Sequence, residues 1–300
     1  MPPASAMAGK FNVGVVIATK GRPQLAKALV DALSRQSVTP QSIVISTSDA
    51  ADAAGIAAQG AVRIVVSRAG SCAQRNAGLA ALPAATDVVV FFDDDFVPSR
   101  FWIENVGSLF AHTADIAVAT GHVLADGTKS PGLTWAEGEK IVARADEAPH
   151  TQPEITEENH SAYGCNMAFR RSAIGALRFD ERLVLYGWQE DTDFAARVAA
   201  RGRMVRSGRL WGVHLGIKRG RSPGRQFGYS QMVNPRYLVA KGTMRAASAL
   251  RLAGRNLLAN LAHAFFPEPY IDRVGRLKGN LLGLWDIVTG RWRPERAAEL

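Results

Sequence analysis

The sequence predicts an α/β fold in which a mixed, mostly parallel sheet is flanked by helices and followed by a helical C-terminal extension. Through the first hundred residues, short apolar runs rich in β-branched residues alternate with amphipathic segments. Hydrophobic residues make up 47% of the 300 residues, enough to build a large core. After residue 225 the strand-like runs stop and the pattern becomes helical.

Four apolar runs predict buried strands in the first hundred residues, at 13–18, 42–46, 62–66 and 88–92. The segments between them show helical spacing. Pro23 suits the first turn of a helix that ends near Gln36, and a second helix opens near Gly70 and ends before Pro83. This alternation favours parallel strands joined by helices.

The elements after residue 100 follow less regular signals. Helices are predicted at 101–111, 172–177 and 191–200, and strands at 116–121, 163–169 and 204–213. Residues 125–160 are rich in Gly, Pro and acids, which predicts a long loop. Residues 1–10 are predicted to form a loose tail. We therefore expect a catalytic domain at 11–225 and a basic, helical extension at 226–300.

Charge is distributed unevenly along the chain. Residues 201–300 carry 19 Lys and Arg against 5 Asp and Glu, a net charge of +14, whereas the first 200 residues carry −5. Such a bias suits an anionic partner, either a diphosphate ligand or an anionic lipid surface. Nucleic acid is not expected, because no nucleic-acid-binding module is recognisable.

The cysteines and the hydropathy of the sequence indicate the cellular compartment of the protein. Cys72 and Cys165 show neither a CxxC pair nor zinc-site spacing, which suits a reducing compartment. Residues 1–10 lack the pattern of a signal peptide, and no run of about 18 apolar residues occurs. We therefore expect a cytoplasmic protein, with peripheral attachment to the inner face of the plasma membrane as a further prediction.

Three consecutive acids, Asp93, Asp94 and Asp95, come directly after the predicted strand at 88–92. Adjacent carboxylates repel each other unless a cation or hydrogen-bond donors lie among them. Ligands of open α/β sheets gather at the carboxyl ends of strands. This pattern favours a divalent metal holding a phosphorylated ligand over an acidic turn that caps the next helix.

Polar groups also follow the other predicted strands, at 19–22, 48–49 and 75–76. Since parallel strands end at one edge, these groups can line a single nucleotide cleft. A carboxylate can accept hydrogen bonds from a base or a ribose, and an Arg can face a phosphate.

A second acidic group, Glu190, Asp191 and Asp193, opens a predicted helix just after Trp188. Two interpretations fit: favourable charge at a helix N-terminus, or a general base beside an aromatic ring that stacks on a sugar. His214 follows a strand and is either structural or a metal ligand, for which manganese is better suited than magnesium.

Four segments, at 15–23, 73–79, 92–95 and 188–191, together resemble the family 2 inverting glycosyltransferases of the GT-A fold, in their bacterial form. The resemblance covers roughly 15–215. It implies that a sugar moves from a nucleotide-diphosphate donor to an acceptor hydroxyl. It also implies a Rossmann-like sheet and a Mn²⁺ or Mg²⁺ cofactor.

The resemblance also implies roles for individual residues. Asp95 and His214 would bind the metal, and Asp191, beside Glu190, would be the catalytic base. Gly164, Cys165, Asn166 and Trp188 would line the sugar and acceptor pocket. The residues implied to contact the nucleotide sugar are Thr19, Arg22, Asp49, Arg75, Asn76, Asp93 and Asp94. Relatives often carry a small residue in place of Asp94.

Several functional alternatives remain after this comparison. The absence of a QxxRW motif and of membrane spans argues against a processive synthase. The resemblance implies a role in exopolysaccharide or lipid-linked glycan synthesis. A nucleotide-sugar-binding protein without activity and a nucleotidyltransferase are the alternatives. The basic segment 245–290 predicts either helices packed on the catalytic domain or a membrane-surface element that meets a lipid-linked acceptor.

Overall fold

A computed structural model of the protein describes residues 11–148, 154–158, 161–218, 222–266 and 268–300. The tail predicted at 1–10 lies outside these residues, as do 149–153 and 159–160 of the segment predicted to be a loop.

Nine strands in the described ranges form one mixed sheet, in the order β3-β2-β1-β4-β8-β6-β9-β5, with the short β7 paired to β9. The strands are β1 (Val13–Thr19), β2 (Ser42–Thr47), β3 (Val62–Val66), β4 (Val88–Asp93), β5 (Phe96–Pro98), β6 (Ile116–Asp126), β7 (Glu157–Glu158), β8 (Asn166–Arg170) and β9 (Arg203–His214). The predicted mixed, mainly parallel sheet is confirmed.

Strands β3, β2, β1 and β4 are parallel, and their register aligns their carboxyl ends. Thr19 lies opposite Thr47, and Ala18 lies opposite Asp93. The polar groups that follow these strands therefore share one edge of the sheet.

The other half of the sheet brings distant segments to the same edge. Strand β8 runs antiparallel to both β4 and β6, and β9 runs parallel to β6. Strand β5 then pairs antiparallel with β9, so that Phe96 lies opposite His214. This pairing carries His214 next to the acids that connect β4 and β5.

Helices cover both faces of the sheet. They are α1 (Pro23–Ser34), α2 (Ser71–Ala81), α3 (Trp102–His112), α4 (Trp135–Glu147), α5 (Arg171–Ile174), α6 (Glu190–Ala199), α7 (Gly224–Lys241), α8 (Ala246–Phe265) and α9 (Arg273–Val288). Three 3₁₀ helices occupy Ala50–Ala53, Gly127–Lys129 and Pro294–Glu299. Alternate strand residues enter two separate cores: Val15 and Phe92 pack on one face, and Val16 and Phe91 on the other.

The prediction of a loop at 125–160 is wrong for most of that segment. Strand β6 continues to Asp126, and helix α4 follows it. Thr134 and Glu137 form a capping box, which satisfies backbone donors at the start of α4. Val142 is buried against Val97 and Val213, so tertiary packing stabilises a helix of polar composition.

Three long helices, α7, α8 and α9, form the C-terminal part. Helices α7 and α9 pack closely because glycines replace larger side chains where they touch. A Cβ added at Gly228 would lie 2.1 Å from the carbonyl oxygen of Arg276, and one at Gly279 would lie 2.1 Å from that of Arg225. Gln231, Asn260 and Asn280, one from each helix, form a buried hydrogen-bonded cluster.

None of the helices in the described ranges has both the length and the apolar character needed to cross a bilayer.

Candidate active site

Asp93, Asp95 and His214 form a group that can hold a divalent metal ion. One ligand atom from each residue lies within 4.8 Å of the others. Asp93 ends β4, Asp95 lies in the turn before β5, and His214 ends β9. Two carboxylates and an imidazole suit Mn²⁺, which accepts both oxygen and nitrogen ligands. Asp95 and His214 are both buried, so water competes little for these atoms.

The His214 ring is oriented by groups on both sides. Its Nε2 lies 3.4 Å from Asp95, and its Nδ1 lies 3.2 Å from Asp126. The Tyr163 hydroxyl donates to Asp126 and lies 3.1 Å from the same Nδ1. Burial alone would lower the pKa of His214, but Asp95 and Asp126 outweigh it and raise this pKa to about 10. Without a metal, the imidazolium neutralises the acids; a bound cation would displace that proton.

Asp94 is not part of this group and instead contacts the loop after β1. It is fully buried, accepts a 2.6 Å hydrogen bond from Thr19 and lies 2.7 Å from the Arg22 guanidinium. Burial raises the pKa of Asp94 to about 7 in spite of Arg22. Arg22 also lies 3.4 Å from Asp95. The three acids therefore serve two purposes, since Asp94 anchors the loop after β1.

Arg75 connects the acids of β4 to the acids that open α6. Its buried guanidinium donates to Asp93 at 2.8 Å, to the Gly164 carbonyl at 3.1 Å, and to Glu190. Burial raises the pKa of Glu190 to about 8 even beside this cation. The carboxylates raise the pKa of Arg75 above its usual value against the effect of burial, so the guanidinium stays charged.

Asp191 is fixed by two backbone donors. One carboxylate oxygen accepts from the Gly164 N–H at 2.9 Å, and the other accepts from the Thr192 N–H at 2.7 Å. Burial nevertheless raises the pKa of Asp191. Two non-glycine residues in the preceding segment, Leu185 and Gln189, have φ values of 60° and 71°. Such backbone conformations are costly and occur often at functional sites.

A cleft of about 260 Å³ lies beside these groups. Thr19, Arg22 and Asp93 line it, as the strand-end pattern predicts. Most of the remaining lining comes from the start of α2, the turn before α6 and the start of α7: Gly70, Ser71, Gln74, Leu185, Tyr186, Ser222, Pro223 and Gln226. The start of α7 thus contributes to the wall of the cleft.

Two residues expected to contact the nucleotide make other contacts in this structure. The exposed Asp49 caps the 3₁₀ helix at Ala50–Ala53 by accepting from Ala51 N–H. The Asn76 amide bonds to the backbone of Phe179 and to the side chain of Glu181. Neither residue lines the cleft.

The segment expected to line the sugar pocket is close to Asp191. Gly164 contacts Asp191 directly, and the buried Cys165 lies next to it in the chain. Asn166 is buried, with an amide nitrogen that has no hydrogen-bond partner in the described residues. Trp188 packs against Phe227 at 5.1 Å between ring centroids, so its ring is held between the α6 and α7 segments.

Four further residues shape the site, and their roles were not predicted from local sequence pattern. Asp52 accepts from the Gly21 N–H, and Gln74 donates to the carbonyls of Thr19 and Ser46. Asp126 and Tyr163 hold His214. The partners of the first two are 28 to 55 residues away in the chain, so local sequence pattern could not place these contacts. Asp126 ends the strand β6, the one signal that could have indicated it.

A mixed sheet with a cleft and a candidate metal-binding group at the carboxyl ends of its parallel strands is the arrangement of an α/β protein that binds a ligand at this edge. The model of glycosyl transferase family 2 matches residues 14–178, more than half of the chain, and the chain belongs to this family. The protein is therefore a glycosyltransferase, and its class uses nucleotide sugars. Among curated proteins, none matches this chain by sequence.

Solved structures with this fold include three glycosyltransferases. The mannosyltransferase PcManGT from Pyrobaculum calidifontis, solved with GDP-Man and Mn²⁺, has a TM-score of 0.56 at 15% identity, covering 92% of this chain and 87% of its own. TarS from S. aureus has a TM-score of 0.52 at 13% identity, covering 85% and 44%. Glucosyl-3-phosphoglycerate synthase from Mycobacterium tuberculosis, solved with Mn²⁺, UDP and phosphoglyceric acid, has 0.50 at 17%, covering 80% and 81%. At these identities the likeness shows the fold alone.

Proposed function

We propose that the protein transfers a sugar from a nucleotide-diphosphate sugar to an acceptor hydroxyl, with inversion at the anomeric carbon. One observation carries this proposal: Arg75 joins Asp93 of the metal-binding group to Glu190, the neighbour of Asp191. The candidate metal group, which would hold the leaving diphosphate, and the candidate base are thereby linked through one guanidinium.

Asp93, Asp95 and His214 would hold the metal ion. When bound, the ion neutralises the negative charge that develops on the diphosphate as the glycosidic bond breaks. The Arg22 guanidinium, which contacts Asp94 and Asp95, can also bind the same phosphates. Thr19 supports this arrangement through its bond to Asp94.

Asp191 would act as the general base. Its carboxylate accepts the proton of the acceptor hydroxyl while that oxygen forms a bond to the anomeric carbon. The bond from the anomeric carbon to the diphosphate oxygen breaks on the opposite face, and the electron pair leaves with the nucleoside diphosphate. This single displacement inverts the centre. The hydrogen bond from the Gly164 N–H, which restrains the carboxylate, supports this role.

The nucleotide would occupy the cleft between Thr19, Gln74 and Tyr186. The fold relatives support a nucleotide-sugar donor, since their structures hold GDP-Man, UDP or, in TarS, UDP-GlcNAc. Asp49 and Asn76 remain predicted nucleotide contacts, which would require their present hydrogen bonds to change. Gly164, Cys165, Asn166 and Trp188 remain the predicted walls of the sugar and acceptor pocket.

We assign residues 11–225 to the catalytic domain and 226–300 to an extension that completes the cleft through Gln226. The acceptor would be a glycan or a lipid-linked glycan of an exopolysaccharide or related pathway. Location in the cytoplasm and attachment to a membrane surface stay predictions.

Donor hydrolysis and transfer test the proposal. Wild type and Asp191→Asn are incubated with UDP- and GDP-sugars and Mn²⁺, and Asp115→Asn, a change of an exposed acid, serves as control. Loss of a positioned base is expected to lower the rate by about 10²- to 10⁴-fold in Asp191→Asn only. NMR of the product from an α-linked donor should show the β anomer. Equal hydrolysis by Asp191→Asn would refute the base assignment, and Mn²⁺-dependent binding without turnover would indicate a binding protein.

A further inference from the structure

Exposed apolar side chains are concentrated on the C-terminal helices. The described residues include twelve exposed large hydrophobic side chains, and nine of them lie between residues 250 and 288. On α8 they are Leu250, Leu258, Leu261 and Phe265, with Phe266 just after the helix. On α9 they are Val274, Leu281, Trp285 and Val288. We call these nine residues the apolar patch.

The exposed residues of the apolar patch recur at helical spacing. On α9 the exposed positions 274, 278, 281, 285 and 288 recur every three or four residues, so they lie on one face of the helix. On α8 the exposed positions 258, 261 and 265 recur in the same way. Trp285 and Phe265 are 61% and 75% exposed. Exposed apolar patches of this kind mark surfaces that a partner covers.

The charges around the apolar patch are basic. Arg251, Arg255 and Lys278 are exposed, and no ion-pair partner lies within reach of them in the described part of the chain. Helix α8 contains no acid at all. The three acids between 245 and 291 are already engaged: Glu268 with Arg273, Asp272 with the Gly275 N–H, and Asp286 with Arg296.

We propose that the apolar patch and its basic border bind the surface of an anionic lipid bilayer, with α8 and α9 lying in the interface. Apolar and aromatic residues on one face, bordered by Lys and Arg, are the composition of interfacial helices. A second copy of this chain fits less well. In a two-fold dimer the patch would face itself, and its unpaired basic residues would meet like charges.

The patch also lies near the catalytic groups. The connection between α8 and α9 reaches the metal-binding end of the sheet, where the Tyr270 hydroxyl donates to the Lys129 carbonyl. The Lys218 ammonium lies 5.3 Å from the Tyr270 ring centroid and donates to the carbonyl of Gly127, the residue after Asp126. Phe265 and Phe266 precede this connection. Binding through the patch would therefore bring the site close to the lipid headgroups.

This inference rests on the proposed function only for its biological purpose, namely access to a lipid-linked acceptor. The membrane contact itself is independent of catalysis, because none of its residues belongs to the catalytic groups. A test can therefore separate the two.

Vesicle sedimentation of the full chain is the test, with phosphatidylcholine vesicles and with vesicles that contain 30% phosphatidylserine. Wild type should sediment with the anionic vesicles, and less so at high salt. A variant with Arg251→Glu, Arg255→Glu and Lys278→Glu should bind on the order of 100-fold more weakly, because each basic residue near an anionic surface contributes about fivefold. A variant with Leu258→Gln, Phe265→Gln and Trp285→Gln should also lose binding.

Matched controls carry the same changes elsewhere: Arg63→Glu, Lys140→Glu and Arg144→Glu for charge, and Val66→Gln for an exposed apolar residue. These should bind as wild type does. Donor hydrolysis without vesicles, measured on every variant, should not change. Wild type that stays in the supernatant, or variants that sediment like wild type, would overturn the proposal. So would a dimer in light scattering that the apolar variant converts to a monomer. Hydrolysis without vesicle binding contradicts the membrane inference alone, and binding without hydrolysis contradicts the proposed function alone.

Discussion

Nη2 of Arg75 lies 2.8 Å from Oδ1 of Asp93, so the acid that ends β4 is held by a cation buried on α2. The same guanidinium contacts Glu190, and the Arg75 side chain is only 4% exposed. A charge removed this far from water must keep its partners, because an unpaired buried charge is costly. Arg75 is thus placed to be an organising residue of the site, whatever its contact with the nucleotide.

Replacement of Arg75 by a side chain of similar length should show how much the network depends on it. Arg75→Met leaves Asp93 and Glu190 without their cation, and we expect the free energy of unfolding to fall by about 3–5 kcal/mol. Urea unfolding measures this change. Arg68→Met is the control, because its pair with Glu181 is exposed and should contribute at most about 1 kcal/mol. Equal stability of the two variants would mean that Arg75 is not a structural centre.

Substitutions around the candidate metal site should lower Mn²⁺ affinity by different amounts. Asp95→Asn removes a charged ligand, and we expect Mn²⁺ affinity to fall most in this variant. Asp126→Asn removes the partner of His214 Nδ1 and should weaken Mn²⁺ binding by roughly 10- to 100-fold. Glu139→Gln changes an exposed acid of α4 and should have no effect. Mn²⁺ titration followed by electron paramagnetic resonance checks the order, and unchanged affinity in Asp95→Asn would exclude the proposed site.

Much of this site could be predicted from the sequence because it depends on strand ends. Buried strands have strong local signals, and a parallel sheet aligns their carboxyl ends, so Thr19, Asp93 and Asp95 follow from pattern. The contact between Arg75 and Glu190 could not be predicted from residues alone, because the partners are 115 positions apart and only the fold brings them together.

The failure at 125–160 has a different cause. The polar composition of α4 obscures a helix that is stabilised by its capping box and by burial of Val142. Asp49 shows a related limit, since an Asp after a strand can cap a short helix as well as bind a ligand. The composition of a segment does not identify which of its faces is covered by the rest of the chain.

Helix α4 allows a direct test of its capping box. Thr134→Ala removes the hydroxyl that accepts from the Glu137 N–H, and we expect a loss of about 1 kcal/mol in unfolding free energy. Thr134→Ser keeps a hydroxyl and should retain most of the stability. Chemical denaturation of the three proteins gives the comparison. A Thr134→Ser variant as unstable as Thr134→Ala would show that packing of the methyl group, and not the cap, is responsible.

The pH dependence of turnover should reflect the burial of Asp191. A general base works only when it is deprotonated, so activity falls as the pH drops through its pKa. Burial raises the pKa of Asp191 in the fold, and the acidic limb of log kcat/KM should therefore lie above about 3.9, the usual value for an aspartate. Glu190→Gln, measured in parallel, separates the two acids, because a limb due to Asp191 persists in that variant. A limb that disappears in Glu190→Gln would assign the titration to Glu190 instead.

The close packing of α7 against α9 predicts opposite effects on stability when two glycines are replaced by alanine. A Cβ at Gly228 would lie 2.1 Å from the Arg276 carbonyl oxygen, a backbone atom that cannot move without shifting α9. Gly228→Ala should therefore destabilise the protein, by about 1–3 kcal/mol for an overpacked site. Gly254, inside α8, has no atom within 4 Å of the added Cβ, and Gly254→Ala should stabilise the protein by up to about 1 kcal/mol through helix propensity. Because the two variants make the same chemical change in neighbouring helices, opposite shifts of the urea midpoint isolate the close approach of α7 and α9. Stabilisation of both would mean that these helices do not pack at this distance in solution.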